Sequence, residues 1–271
     1  MPLQLIPNCA VNTATPPSLK RRIIEQLGTS GLANLARTIR NHIVYRGDTL
    51  YCPVCERSSS HFVSFGNPPR KNAGCVWCGS LERHRFLWLF WKTDRTDLLS
   101  GKPGRKMLHV APEPFFRDKL RAAIGSGYLT SDYFRSGVDV QMDVQDIQYP
   151  DETFDIIYCS HVLEHVENDR KALAEFYRVL KTGGWAVLLV PDFLEHTVED
   201  TTVIDAMERL RLFRQDDHVR NYGPDFADRA REAGFEVEAL LPGDVVSRAE
   251  IEKMALIETF DRIYFCRKMP R

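Results

Sequence analysis

The chain has 271 residues, 44% hydrophobic and 27% charged, with a net charge of −1. That length holds one large domain plus a small module, and the composition excludes a disordered or fibrous chain. No basic-then-apolar leader opens Met1 to Pro17, and the longest apolar run, Phe86 to Trp91, is far short of a bilayer span, so a cytoplasmic protein without a membrane partner is expected.

The charge is unevenly spread. Residues 1–105 carry 15 Lys+Arg against 6 Asp+Glu, and the remainder carries 21 against 31. Either the basic part grips an anionic partner such as RNA, or it docks on the acidic remainder of its own chain. The scatter of the positive charges favours docking.

In chain order, residues 1–17 contain several prolines and read as an extended arm. Ser18 can cap a helix through Ile23, Ile24 and Leu27. Gly28 and Gly31 break it, and a second helix carries Leu32, Leu35, Ala36 and Ile39. Ser80 is positioned to cap a third helix, Leu81 to about Trp91. Its Phe86, Trp88 and Trp91 read as core rather than as a stacking platform for bases.

From Arg105 onward, short apolar runs alternate with helical segments. Met107–Val110, Tyr128–Thr130, Val138–Met142, Phe154–Cys159 and Trp185–Val190 are predicted strands. Ala172, Leu173, Phe176, Val179 and Leu180 share one helical face, and Gly183-Gly184 is expected to end that helix. Phe235–Leu240 and Arg262–Cys266 are candidates for a closing hairpin. This alternation predicts an α/β fold, a parallel sheet flanked by helices.

Seven cysteines without an export signal argue against a disulfide framework. Cys52, Cys55, Cys75 and Cys78 form two Cys-x-x-Cys pairs separated by 19 residues. This spacing suits four thiolates around one tetrahedral Zn2+, as in the knuckles of a zinc ribbon. With four protein ligands the ion has no place for substrate, so its role would be structural. The organisation expected is therefore an arm and helices over 1–50, a zinc module with its linking helix over 51–92, and a Rossmann-like domain over 105–271.

An open parallel sheet binds ligands at the carboxyl ends of its strands. There the sequence places Ser131-Asp132-Tyr133 after the second strand and Met142-Asp143-Val144 after the third. Further on come Phe154-Asp155-Ile156-Ile157, His161-Val162-Leu163-Glu164-His165-Val166 and Arg178-Val179-Leu180-Lys181-Thr182-Gly183-Gly184. In this order the segments resemble the class I methyltransferases of the type 11 group, over about residues 105–240. The resemblance implies S-adenosylmethionine as cofactor, with Asp132 and neighbouring Tyr133 at the ribose, and Asp143 and the Val144 backbone at the adenine. Ser160 and His161 would line the floor between cofactor and acceptor. The first-strand turn departs from the family, for Leu108-His109-Val110-Ala111-Pro112-Glu113-Pro114 has no glycine. Here His109, Ala111 and Glu113 would flank the methionine part, Glu113 receiving its ammonium group.

Methyl transfer requires an acceptor held in line with the methyl group, and a base only when the acceptor must lose a proton. His161 is the candidate base or orienting group, and His165 reads as a structural histidine. A second metal on that pair lacks an evident third ligand. Residues 192–223 form a candidate lid. In it His218, Arg220 and Tyr222 either bind a polar acceptor, with His218 and Tyr222 as further catalytic candidates, or Asp217 and Arg220 simply brace the segment. The expected function is O- or N-methylation of a small metabolite or sugar. The alternatives are an RNA methyltransferase docking RNA through the basic module, or a zinc-bearing scaffold without activity. The oligomeric state is not legible.

Overall fold

The computed structural model describes residues 31–100 and 102–270. The arm over 1–17, the helix capped by Ser18, and Gly28 lie outside the described residues. The chain divides into two units, Met1–Arg46 and Gly47–Arg271. In the first, helix α1 (Gly31–Val44) begins at a glycine expected to interrupt helix.

The second unit opens with two small antiparallel pairs. Strand β1 (Leu50–Cys52) pairs with β2 (Arg57–Ser59), and β3 (Val63–Phe65) with β4 (Arg70–Gly74). Helix α2 (Glu82–Trp91) follows, with Leu81 rather than Ser80 at its N-cap. Ser80 is otherwise engaged, its hydroxyl lying 3.2 Å from both Cys52 Sγ and Cys78 Sγ. The side chain of His84 takes over one capping duty by accepting the Leu81 N–H at 3.0 Å.

The alternating region follows as β5 (Met107–Val110), α3 (Pro114–Ile124), β6 (Tyr128–Asp132), β7 (Val140–Gln141), β8 (Phe154–Ser160), α4 (Asp169–Val179) and β9 (Leu180–Leu189). Next come β10 (Val198–Glu199), α5 (Ala206–Phe213), β11 (Arg220–Asn221), α6 (Phe226–Glu232), β12 (Glu236–Leu240), α7 (Arg248–Met254) and β13 (Ile263–Arg267). Seven strands form one sheet in the order β12-β13-β9-β8-β5-β6-β7. Neighbours from β7 to β9 are parallel, while β13 runs antiparallel to both β9 and β12. This is a Rossmann-like α/β sheet. The chain winds outward in one direction from β5 and in the other from β8, so the switch point lies between those two strands.

Two expected boundaries move for visible reasons. The third strand shrinks from Val138–Met142 to Val140–Gln141, because Asp139 and Thr130 exchange side-chain hydrogen bonds where a ladder would begin. Gly183-Gly184 does not end a helix but lies inside β9. The helix has stopped at Val179, and Leu180 is already extended. Gly183 has φ +80°, and a Cβ on Gly184 would come within 2.8 Å of the Asp155 carbonyl oxygen. Glycine serves the approach of β9 to β8 here. The insertion over 192–221, expected without sheet character, contains the β10–β11 ribbon and α5.

Side chains alternate across β8, as strand geometry demands. Ile156 and Tyr158 join a core with Phe86, Trp88, Phe90 and Trp91 of α2, whereas Ile157 and Cys159 join the α4 and α6 side. The cysteine segment thus contributes one covering layer of the sheet and is not a separate body. Arg85 fastens it. Fully buried, its guanidinium donates to the carbonyls of Asn72, Ala73 and Ser80 on one side, and of Met254 and Ala255 on the other.

Candidate functional sites

Four sulfurs meet where β1 and β4 end. One ligand atom from each of Cys52, Cys55, Cys75 and Cys78 lies within 4.8 Å of the others. Cys55 and Cys75 Sγ are 3.7 Å apart, and Cys52 and Cys78 Sγ 3.8 Å. A tetrahedron with metal–sulfur bonds of about 2.3 Å has edges of about 3.8 Å. The donor set and its spacing fit one four-coordinate ion. Trp77 Nε1 closes the cluster from outside by donating to Ser59 Oγ at 2.9 Å.

The second site is built at the strand tips. After β5 the chain turns at Ala111, whose φ is +51° and whose N–H donates to the Ser131 carbonyl at 2.7 Å. That left-handed conformation is one a glycine adopts without penalty and an alanine does not. The first-strand turn therefore has glycine-like geometry without the glycine. Pro114 then opens α3 at its first turn, where a missing N–H costs nothing.

Glu113, the N-cap of α3, gathers the neighbouring polar groups. Its carboxylate accepts from His109 Nε2 at 2.9 Å and from the Tyr158 hydroxyl at 2.7 Å, with His84 Nε2 at 3.6 Å. Burial works to raise its pKa, but the His109 bond and charge, joined by His84 and Tyr158, hold it at about 2. His84 reaches this cluster from α2, so the cysteine segment supplies a side chain to the strand-tip region.

At the strand tips, Ser131 Oγ of β6 and His161 Nε2 after β8 are buried without a hydrogen-bond partner among the described residues. Unpaired buried polar atoms are costly and rare, and a cluster at a switch point marks a place for a ligand. His161 sits at φ +53°, its Nδ1 held by Glu164 Oε1 at 3.1 Å. Burial raises the pKa of Glu164, yet the His161 bond and nearby histidines bring it below the usual value, so the orienting group is a carboxylate. Asp132 is buried, and its Oδ1 accepts the N–H groups of Phe134 and Arg135, both at 2.8 Å. Its Oδ2 has Arg135 Nε at 3.8 Å. Asp143 is half-buried and fixed by the Gln145 N–H at 2.8 Å. Tyr133 is exposed beside Phe134, and the Val144 side chain points into the core.

Three expected site residues stand elsewhere. His109 has no exposed surface, and both ring nitrogens are engaged, by Tyr128 and Glu113. Its ring is spent on these two partners. Tyr222 is likewise fully buried, its hydroxyl donating to Asp169 Oδ2 at 2.8 Å. His218 is buried against His165, with ring centroids 4.6 Å apart. Arg220 braces the segment, donating to the carbonyls of Leu163, Val166 and Glu167 and to Glu199. Bracing is the reading the geometry supports for the lid.

Sequence reasoning missed Arg85, His84, Tyr158 and Asp192. Asp192 is buried after β9, accepting from Asp261 N–H, Arg262 and the Tyr264 hydroxyl. Its signal was legible as an acidic residue directly following a strand, the same signal used for Asp132. His84 and Arg85 lie on α2, outside the motif order, and Tyr158 lies within it on β8, where a tyrosine in a strand gives no sign of its partner.

Comparison with known proteins bears on the strand-tip half. Residues 107–188 match the family described as methyltransferase domain. The matched segment runs from β5 through β9 and contains Ala111, Glu113, Asp132, Asp143, Ser160 and His161. The ubiquinone/menaquinone biosynthesis C-methyltransferase UbiE of Hydrogenovibrio crunogenus is 38% identical over 90 residues, 33% of this chain and 33% of that protein. The uncharacterized methyltransferase YcgJ of Bacillus subtilis is 33% identical over 81 residues, 30% of each. The chain spans about a third of the length of these curated relatives. Among solved structures, an S-adenosylmethionine-dependent methyltransferase from Mesorhizobium loti aligns with TM-score 0.45 and 15% identity, covering 67% of this chain and 98% of that one. Among the described residues, no helix is long and apolar enough to cross a membrane.

Proposed function

We propose that the chain is an S-adenosylmethionine-dependent methyltransferase acting on a small acceptor, with a structural Zn2+ on Cys52, Cys55, Cys75 and Cys78. One observation carries the reading. Buried polar atoms of Ser131 and His161 without a partner among the described residues stand at the strand tips with Asp132, within the segment matching a methyltransferase domain. The cofactor, when bound, supplies an electrophilic methyl group. Asp132 Oδ2 would hold the ribose and Asp143 the adenine amino group. Glu113 would face the ammonium end, kept ionised by His109 and His84. Glu164 fixes the His161 tautomer by accepting from Nδ1, leaving the Nε2 lone pair to take a proton from an oxygen or nitrogen acceptor. Holding the acceptor in line accounts for much of the acceleration in such a reaction.

RNA is the second reading, motivated by the basic residues before 106. In the described unit several of these are spent internally. Arg70 pairs with Glu82, Arg95 with Glu238 and Arg105 with Asp97, and Arg85 is buried. That favours docking within the chain over gripping phosphates. Incubation with methyl-labelled S-adenosylmethionine, a cell metabolite extract and total RNA separates the readings. Label in the small-molecule fraction is expected. Label confined to RNA would replace the small acceptor, and absence of both label and cofactor binding would remove the enzyme.

A further inference from the structure

The loop leaving β8 and the end of the insertion bring Glu164, His165 and His218 together, with one ligand atom of each within 4.8 Å of the others. In sequence, His165 paired at helical spacing with His161 has no third donor. In the fold its partner is His218, from a distant part of the chain, and the two rings stand 86° apart.

Each member of the cluster is pinned through one atom. Glu164 Oε1 accepts from His161, His165 Nδ1 lies 3.3 Å from Asp217 Oδ2, and His218 Nδ1 lies 3.4 Å from Asn221 Oδ1. The other atoms of the two buried members, Glu164 Oε2 and His218 Nε2, have no hydrogen-bond partner, although those residues are 1% and 3% exposed. Buried polar atoms seldom go unpaired. One side of a donor fixed by an outer hydrogen bond, the other uncommitted, is how proteins present imidazole and carboxylate to a metal. The backbone holds both segments in place, since Val219 N–H donates to the Glu164 carbonyl at 3.0 Å and Arg220 Nη1 to that of Leu163 at 2.7 Å.

We propose that Glu164, His165 and His218 form a second metal site, separate from the four cysteines, for a divalent first-row transition ion. Two imidazoles with one carboxylate suit Zn2+, Co2+, Mn2+ or Fe2+ and not the all-oxygen preference of Ca2+ or Mg2+. Three protein donors, with His165 35% exposed at its side chain, leave coordination positions open. The ion would clasp the insertion to the β8 loop and adjoin His161 through the shared Glu164.

The test needs no cofactor and stands apart from the methyltransferase reading. The full-length chain, its metal content first measured, is titrated with Co2+ and followed by equilibrium dialysis and absorption. One equivalent per chain is expected to bind without thiolate-to-cobalt charge transfer, which distinguishes it from the cysteine site. His218→Gln and His165→Gln should each weaken that equivalent at least tenfold while any thiolate-bearing equivalent stays. His165 is exposed enough that its variant folds even if His218→Gln does not. Absence of a thiolate-free equivalent in the wild type, or its survival in His165→Gln, overturns the proposal.

Discussion

The cysteine cluster and the strand-tip crevice belong to one unit but are finished to different degrees. At the cluster, four sulfurs stand at tetrahedral spacing, and Ser80 and Trp77 complete their surroundings. At the strand tips, Ser131 Oγ and His161 Nε2 are buried without a hydrogen-bond partner among the described residues. The sulfurs converge on one point that a single ion would fill, whereas the strand-tip atoms are spread over several strands. The α2 helix joins the two, its apolar side chains covering the sheet and its His84 reaching Glu113.

Four changes would break or sharpen this contrast, beginning with the largest expected effect. Cys75→Ser, or chelation of the proposed Zn2+, should remove most of the folding free energy of residues 47–92, since structural zinc in small modules is worth on the order of 10 kcal/mol. Because α2 is a layer of the shared core, thermal unfolding of the whole unit should lose its cooperativity. A sheet that melts unchanged would mean the two regions are independent. Arg85→Leu should cost about 3–5 kcal/mol in denaturant unfolding, since it strands five carbonyls that now have a donor, three of them in fully buried bonds. A loss below about 1 kcal/mol would deny it the fastening role.

Glu113 gives a pH signature. Its pKa in the fold is about 2 against an ordinary 4.5, so its stabilising contribution is complete above pH 4.5 and is lost as the pH falls towards 2. The shift corresponds to about 3 kcal/mol. Glu113→Gln should flatten the acid limb of a stability–pH curve, and an unchanged limb would contradict the network. The smallest effect concerns the strained turn. Ala111→Gly should relieve a left-handed alanine worth about 1–2 kcal/mol, offset by about 0.5–1 kcal/mol of added unfolded-chain entropy. A net gain of up to about 1 kcal/mol is expected by thermal denaturation, and a loss would show that the alanine methyl packs usefully.

Much of the sheet was legible because strand period and strand-tip acids are local signals. Met107–Val110 was read without error, while the second and third strands, from which Asp132 and Asp143 were placed, have other bounds than expected. Gly183-Gly184 misled because a glycine pair reads as a helix stop, while the close approach to Asp155 that requires it is a tertiary fact. The burial of His109 and Tyr222 was not legible for a related reason. A histidine or tyrosine near a motif gives no sequence signal of whether its ring faces the crevice or the core. The joining of His165 to His218 was out of reach for the same cause, as was the fusion of the cysteine segment with the sheet through Arg85.

The central claim is that the strand tips hold a nucleoside cofactor through Asp132. Calorimetric titration of the full chain with S-adenosylmethionine, wild type beside Asp132→Ala, tests it most directly. The account predicts micromolar binding to the wild type and at least about tenfold weaker binding to the variant, from lost charged hydrogen bonds of roughly 1.5–3 kcal/mol. No binding to a folded wild type, or equal affinity in both, would contradict it.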